Sequence, residues 1–126
     1  MDLRGQGSIL LVSCYELGHQ PLGVAMPLGF LRRAGYLPVA IDIAVEKFDA
    51  EIAARARFVG ISVPMHTAMR LGVRVIERLR EINPSCYICC YGLIVFYMIC
   101  GRANYILSHL FRTTVLHIQQ NKPKTL

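Results

Sequence analysis

The sequence predicts one α/β domain built on a doubly wound parallel sheet. Its 126 residues are a typical length for a single domain. Apolar residues make up 54% of the chain and charged residues 17%, enough to form a core and too apolar for a disordered segment. Short runs that are apolar throughout alternate with amphipathic segments, which is typical of parallel strands covered by helices on both faces.

The first half of the chain predicts strand, helix and strand. "SILLVSC", residues 8 to 14, is an apolar run of buried-strand length. "LGVAMPLGFLRRAGY" predicts a helix that ends near Arg33, with Gly35 as a stop signal. Proline disfavours the helix interior, so we expect Pro27 to delay or kink the start of this helix. "LPVAIDIA" predicts the second strand.

The second half predicts helix, strand, helix and strand. "FDAEIAARA" has Asp49 early and Arg55 late, as the helix dipole favours. "RFVGISV" predicts the third strand. "HTAMRLGVRVIERLREIN" has an apolar stripe at helical spacing, with Thr67 as its expected cap and Pro84 just past its end. "CYICCYG" predicts the fourth strand.

Topology rules predict how these elements assemble. Right-handed crossovers place the first and third strands side by side, in a flavodoxin-like (Rossmann-like) order that begins 2-1-3-4 and has four to five strands. We expect parallel strands at about residues 8 to 14, 37 to 43, 57 to 63 and 86 to 91. Ligands of such sheets bind beyond the carboxyl ends of the strands. The segments expected to meet there are residues 15 to 21, 63 to 67 and 91 to 93.

The charge distribution argues against nucleic acid as a partner. The net charge is +6, but residues 1 to 92 hold all eight acidic residues and ten of the fourteen basic ones. Arg70, Arg74 and Arg78 follow one another at helical spacing, and Glu77 and Glu81 interleave with them. This mixture is typical of a solvated helix face and not of a phosphate-binding stripe.

Cysteine content and hydropathy predict a cytoplasmic protein. The five cysteines are an odd number with no signal peptide ahead of them, which favours reduced thiols over a disulfide framework. Within residues 93 to 126, no stretch without a charge is longer than nine residues. A spanning helix needs about 20 residues, so we expect no membrane segment.

Three stretches together resemble a known family: "HQPLGVAMPLGFLRRAGYLPVAID", "FVGISVPMHTAMRLGVRVIERLREINP" and "CYICCYG". In order and spacing, over about residues 8 to 92, they are similar to the N-terminal cobalamin-binding domain of B12-dependent radical SAM enzymes. Members of that family bind cobalamin (B12) edge-on against a flavodoxin-like sheet. A separate downstream barrel carries the iron-sulfur cluster of the full enzyme.

The resemblance implies a cofactor-binding surface at the carboxyl edge of the sheet. Ser62 stands where the family has the serine of a Ser-x-Leu motif, with Pro64 in the position of the leucine. Tyr91 and Gly92 stand where the family has paired glycines. The residues expected to contact the cofactor are Leu17, Gly18, His19, Ser62, Val63, Met65, His66, Tyr91 and Gly92.

His19 is the histidine nearest to this surface. Family members in which histidine replaces the lower cobalt ligand carry Asp-x-His-x-x-Gly in this loop. Here Glu16 precedes His19 by three residues and Gly23 follows it by four, so both spacings are one residue too long. We therefore predict that His19 lines the crevice and is not a metal ligand, and that no residue of the chain ligates the metal.

The cysteines predict no catalytic centre. The chain has no Cys-x-x-x-Cys-x-x-Cys, so we expect no iron-sulfur cluster and no radical SAM activity. Cys86 and Cys89 have the spacing of half a zinc site. On a strand, residues three apart point to opposite faces, so we expect buried thiols there and not a chelate.

Residues 93 to 126 differ in character from residues 1 to 92, because they contain no acidic residue and end in a polar, basic run. One interpretation is that they supply the last helix and a fifth strand of the domain. The other is that they are foreign sequence, for example from a shifted reading frame. In either case "LIVFYMIC" is typical of an aggregation-prone segment, so we expect marginal stability as a monomer and self-association, or contact with a partner domain, through residues 93 to 118.

Three functions remain open. The first is a non-catalytic cobalamin-binding module, the N-terminal part of a B12-dependent radical SAM enzyme that ends before the barrel. The second is a degenerate structural or partner-docking α/β domain that binds no corrin. The third is a flavodoxin-like enzyme or regulator that uses the same crevice.

Overall fold

The computed structural model describes residues 2–16 and 19–92. Strands and helices alternate strictly along this part of the chain. Their bounds are β1 Ile9–Ser13, α1 Leu22–Arg33, β2 Val39–Asp42, α2 Ala50–Arg55, β3 Phe58–Ser62, α3 His66–Ile82 and β4 Tyr87–Tyr91. The α/β class predicted from the sequence is confirmed, and the element order is the predicted one.

The four strands form one sheet in the order β2-β1-β3-β4, and all three pairings are parallel. The first and third strands are adjacent, as right-handed crossovers require. The direction of winding therefore reverses between β1 and β3. In α/β sheets, ligands bind in a crevice at such a reversal, which here lies at the carboxyl ends of these two strands, between the loops that lead into α1 and α3.

Side chains alternate between the two faces of the sheet. Leu10, Val12, Val59 and Ile61 are fully buried on the face covered by α2 and α3. Ile9 and Leu11 point to the other face and pack with Val24 of α1. On this second face, toward β4, the side chains of Tyr87 and Cys89 are exposed.

Asn83 fastens α2 to the end of α3. It is 8% exposed, and its side-chain amide donates to the backbone carbonyls of Ala53, Ala54 and Ala56 at distances of 3.0, 3.2 and 2.7 Å. The last carbonyls of a helix have no partner within the helix. Asn83 provides hydrogen-bond donors to these carbonyls at the end of α2. Such tertiary contacts stabilise α2, since a helix of six residues is too short to be stable alone.

The predicted delay of α1 and the predicted cap of α3 were wrong. Pro27 does not delay α1, which begins at Leu22 and includes the proline, and the alternative, a kink at Pro27, stays a prediction. Thr67 does not cap α3, because the cap position is Met65, in an extended conformation and without a side-chain cap hydrogen bond. Tertiary packing of the two helices outweighs these local preferences.

The predictions for residues 93 to 126 lie outside the described residues. These are the last helix, the fifth strand and self-association through residues 93 to 118. Within residues 2–16 and 19–92, no helix combines the length and the hydropathy needed to cross a membrane.

Candidate functional site

A row of polar residues lies across the carboxyl end of the sheet. The last register positions join Asp42 to Ser13, Ser13 to Ser62 and Ser62 to Tyr91. Partners in a parallel ladder point to the same face, which here is the face covered by α1. The row therefore forms a polar floor on this face, and two of its members, Ser62 and Tyr91, contact Gly23 in the first turn of α1.

Ser13 provides an unused hydroxyl in this floor. Its side chain is completely buried, and among the described residues its oxygen is the one buried side-chain polar atom that has no hydrogen-bond partner. An unpaired buried hydroxyl costs about 1 to 3 kcal/mol. Ser13 is therefore a buried hydroxyl without a partner at the end of β1.

Gly23 brings the backbone of α1 directly onto Ser62. A Cβ at residue 23 would overlap the Ser62 hydroxyl and lie 2.7 Å from Oε1 of Glu16. Ser62 itself is 2% exposed. Only glycine permits this approach, so the first turn of α1 closes tightly over the end of β3.

Glu16 holds the start of α1 in place. Its Oε1 accepts a hydrogen bond of 3.0 Å from the Gly23 amide, and its carbonyl accepts one of 3.0 Å from the His19 amide. A carboxylate at a helix N-terminus is favoured by the helix dipole. The chain thus provides its own anion at the position where a phosphate would otherwise bind.

Tyr91 reaches across the end of β3 to α1. Its hydroxyl donates a hydrogen bond of 2.6 Å to the carbonyl oxygen of Gly23. In an α-helix that carbonyl accepts from the amide of residue 27, and Pro27 has no amide hydrogen. Burial, together with the nearby Glu16 carboxylate, raises the pKa of Tyr91 to about 12, so the hydroxyl remains a donor at neutral pH.

Gly92 follows with φ of +126°, a conformation that side chains rarely adopt. A Cβ at this position would lie 2.5 Å from the carbonyl oxygen of Val63. The amide of Val63 in turn donates to the carbonyl of Tyr91 at 2.8 Å. The chain after β4 is therefore pressed against the chain after β3, and glycine is needed for the contact.

The predicted site residues fall into three groups. Ser62, Tyr91 and Gly92 lie together at the ends of β3 and β4, as the previous paragraphs show. Val63 is fully buried, with its carbonyl against Gly92, and Met65 is half-buried at the start of α3. His19 and His66 are exposed on the loop before α1 and at the first residue of α3. Leu17 and Gly18 lie outside the described residues.

The sequence analysis missed four contributors to this site: Ser13, Glu16, Gly23 and Pro27. Glu16 and Gly23 were considered only for their distance from His19. The available signals were a serine that ends a strand and an acid shortly before a helix. A hydrogen bond between residues 23 and 91 leaves no local signal at all.

The four cysteines of the described residues differ in exposure. Cys86 is buried as predicted, whereas Cys89 is exposed, so the prediction of buried thiols is wrong for Cys89. Burial raises the pKa of Cys14 to about 12 and that of Cys90 to about 11, which keeps both thiols protonated. Within residues 2–16 and 19–92, no three histidine, cysteine or acidic side chains are grouped as metal ligands.

Comparison with known proteins supports the fold. No protein-family model matches the chain, and no curated protein matches it. One similar solved structure comes from the RPS4 and RRS1 TIR domain heterodimer, with 16% identity and a TM-score of 0.52. It covers 89% of this chain and 96% of that chain.

A second solved structure is that of a fungal multi-domain GH3 β-N-acetylglucosaminidase with a GCN5-related glucosamine N-acetyltransferase region. Identity is 10% and the TM-score is 0.51, and the match covers 82% of this chain and 12% of that chain. This chain therefore spans about an eighth of the fungal protein. At these identities the likeness shows a shared α/β architecture and not a shared activity.

Proposed function

We propose that this chain is a cobalamin-binding-type module, the N-terminal part of a B12-dependent radical SAM enzyme. The observation that carries the proposal is the reversal of strand order between β1 and β3, which places the end of β3 at the ligand-binding edge of such sheets. Ser62 ends β3 next to Tyr91 and Gly92, which stand where the family has paired glycines. The module has no chemistry of its own in this proposal.

The outer part of the crevice suits the edge of a flat macrocycle. His19 and His66 are exposed and Met65 is half-buried, on the segments that lead into α1 and α3. Ser13 adds an unpaired hydroxyl at the end of β1. These residues would hold the corrin edge-on, and bound cobalamin would supply cobalt chemistry to a partner barrel.

The inner part of the crevice does not suit the nucleotide tail of cobalamin. Gly23 rests on Ser62, and the phenol of Tyr91 occupies the space beside them. The fit is therefore to the macrocycle alone.

The alternative function is a docking domain that binds no corrin. It is favoured by three apolar side chains that lie four residues apart on α1, Leu22, Met26 and Phe30, each 58 to 60% exposed. An exposed apolar stripe of this kind is typical of a contact surface. The free thiols of the described residues fit a reducing, cytoplasmic location under either function.

The test is to mix the full-length chain with hydroxocobalamin, remove free ligand by desalting and record the absorbance spectrum. We expect corrin bands to remain with the protein. Met65→Arg at the crevice should abolish retention, whereas Leu37→Arg, an exposed apolar residue at the opposite end of the sheet, should not. Circular dichroism verifies that both variants fold. Loss of all corrin from the wild-type chain would favour the docking function.

A further inference from the structure

The crevice contains a slot that the protein fills with its own side chain. The slot is the space over Gly60 of β3, beside the contact of Gly23 with Ser62. The Tyr91 ring lies within it: Cε1 is 3.3 Å from where a Cβ at Gly60 would be. Because Gly60 has no side chain, the Tyr91 ring lies directly on the sheet at this position.

The position of the Tyr91 ring is fixed by a hydrogen bond that α1 needs. The Gly23 carbonyl lacks the helical donor that Pro27 cannot provide, and the Tyr91 hydroxyl takes its place at 2.6 Å. Ser62 also hydrogen-bonds the phenol. The Tyr91 ring is held by Gly23 and by Ser62, so it is a fixed part of the floor and not a mobile surface side chain.

A negative charge beside the slot also disfavours the nucleotide tail of a ligand. Glu16 places a carboxylate on the Gly23 amide, 3.0 Å away, at the N-terminus of α1. A phosphodiester group entering here would meet a like charge where the helix dipole would otherwise attract it. The Tyr91 ring thus lies where a ligand's aromatic group would lie, and the Glu16 carboxylate lies where a ligand's phosphate would lie.

We infer that Tyr91 is a specificity-determining residue that keeps a ligand's aromatic group out of the slot. The inference rests on the proposed function. It means that the domain binds corrinoids only at the outer part of the crevice. The nucleotide tail remains outside and adds nothing to affinity. Cobinamide, a corrinoid without the nucleotide, therefore binds with the same affinity as cobalamin.

The first experiment compares the affinities of hydroxocobalamin and cobinamide for the full chain by spectral titration. In the wild type we expect the two to agree within about threefold. In Tyr91→Gly the open slot should favour cobalamin by about tenfold or more, equivalent to about 1.4 kcal/mol. Tyr91→Phe keeps the ring and should behave as the wild type. A wild-type preference for cobalamin of about tenfold would overturn the inference.

The second experiment does not depend on corrin. p-Cresol is the side chain of tyrosine as a free molecule, and 5,6-dimethylbenzimidazole is the base of the cobalamin nucleotide. We expect either compound to raise the Tm of Tyr91→Gly, or to restore its folding, and to leave the Tm of Tyr91→Phe unchanged. No effect on Tyr91→Gly would show that Tyr91 does not fill an aromatic slot. A positive result here with no corrinoid bound by any variant would refute the proposed function but support the role of Tyr91.

Discussion

The hydroxyl of Tyr91 donates a hydrogen bond to the carbonyl of Gly23 across 68 positions of sequence. It joins the last described strand to the first turn of the first helix, above the strand that lies between them. The bond exists because Pro27 leaves that carbonyl without a helical donor. One proline thus creates the acceptor that fixes a tyrosine in the crevice.

This relationship predicts coupling between Pro27 and Tyr91. In the wild type, Tyr91→Phe should lower the free energy of unfolding by about 1 to 2 kcal/mol, because the Gly23 carbonyl loses its donor. In a Pro27→Ala background the new amide replaces that donor, so the same change should cost less by about 0.5 kcal/mol or more. Urea unfolding of the four proteins measures the coupling. Equal costs in both backgrounds would contradict it.

Glycine substitutions should rank by the space that the structure leaves for a side chain. Gly23→Ala places a methyl group against Ser62, and Gly92→Ala adds a strained φ of +126° to a clash with Val63. We expect each to cost about 1 to 3 kcal/mol. Gly29→Ala is the matched control, since its Cβ meets no atom within 4 Å and alanine favours helix. Thermal unfolding should place Gly29→Ala at or above the wild type, and a loss there would refute the ranking.

Stability should fall at alkaline pH. The raised pKa values of Cys14, Cys90 and Tyr91 mean that the folded state holds protons that the unfolded chain releases more readily. Unfolded cysteine and tyrosine titrate near about 8.5 and 10, so stability is complete below those values and is lost as pH rises toward about 12.

The contribution of Tyr91 to this pH dependence can be measured separately. Tyr91→Phe should flatten the loss of stability between about pH 10 and pH 12. Tyr87→Phe, which removes a phenol that is 41% exposed on the same strand, serves as the control. The interpretation fails if both variants keep the full wild-type slope.

His19 should not change the electronic state of a bound corrin. Its backbone amide donates to Glu16, and the Glu16 carboxylate is engaged by the Gly23 amide. We expect His19→Ala to leave the spectrum of bound cobalamin nearly unchanged. A clear shift of the cobalt bands would show that the imidazole is a ligand despite the spacing around it.

The apolar C-terminal segment should govern the association state. We expect the full chain to self-associate in sedimentation velocity, through residues 93 to 118, and a version ending at Gly92 to associate less. Met26→Lys on the exposed stripe of α1 measures whether that stripe takes part. A full chain that is a stable monomer, and that loses its fold on truncation, would instead make the segment an integral part of the domain.

Much of this fold could be predicted from the sequence, because its determinants are local. The apolar runs at β1 and β3, and the helical stripe of α3, fix the type and order of the elements through burial. Chirality then leaves few ways to connect parallel strands, so the adjacency of β1 and β3 follows. The residues of the crevice could be named from their places at strand ends and from the resemblance, with Ser62, Tyr91 and Gly92 among them.

Only the tertiary structure decided what the crevice contains. The contact of Gly23 with Ser62, the orphan hydroxyl of Ser13 and the reach of Tyr91 to Gly23 each join segments far apart in the chain. Proline at residue 27 predicts a perturbed helix by local rules, but its effect was to create an acceptor for a distant strand. Such consequences depend on which side chains meet after folding, and propensity and spacing carry no information about that.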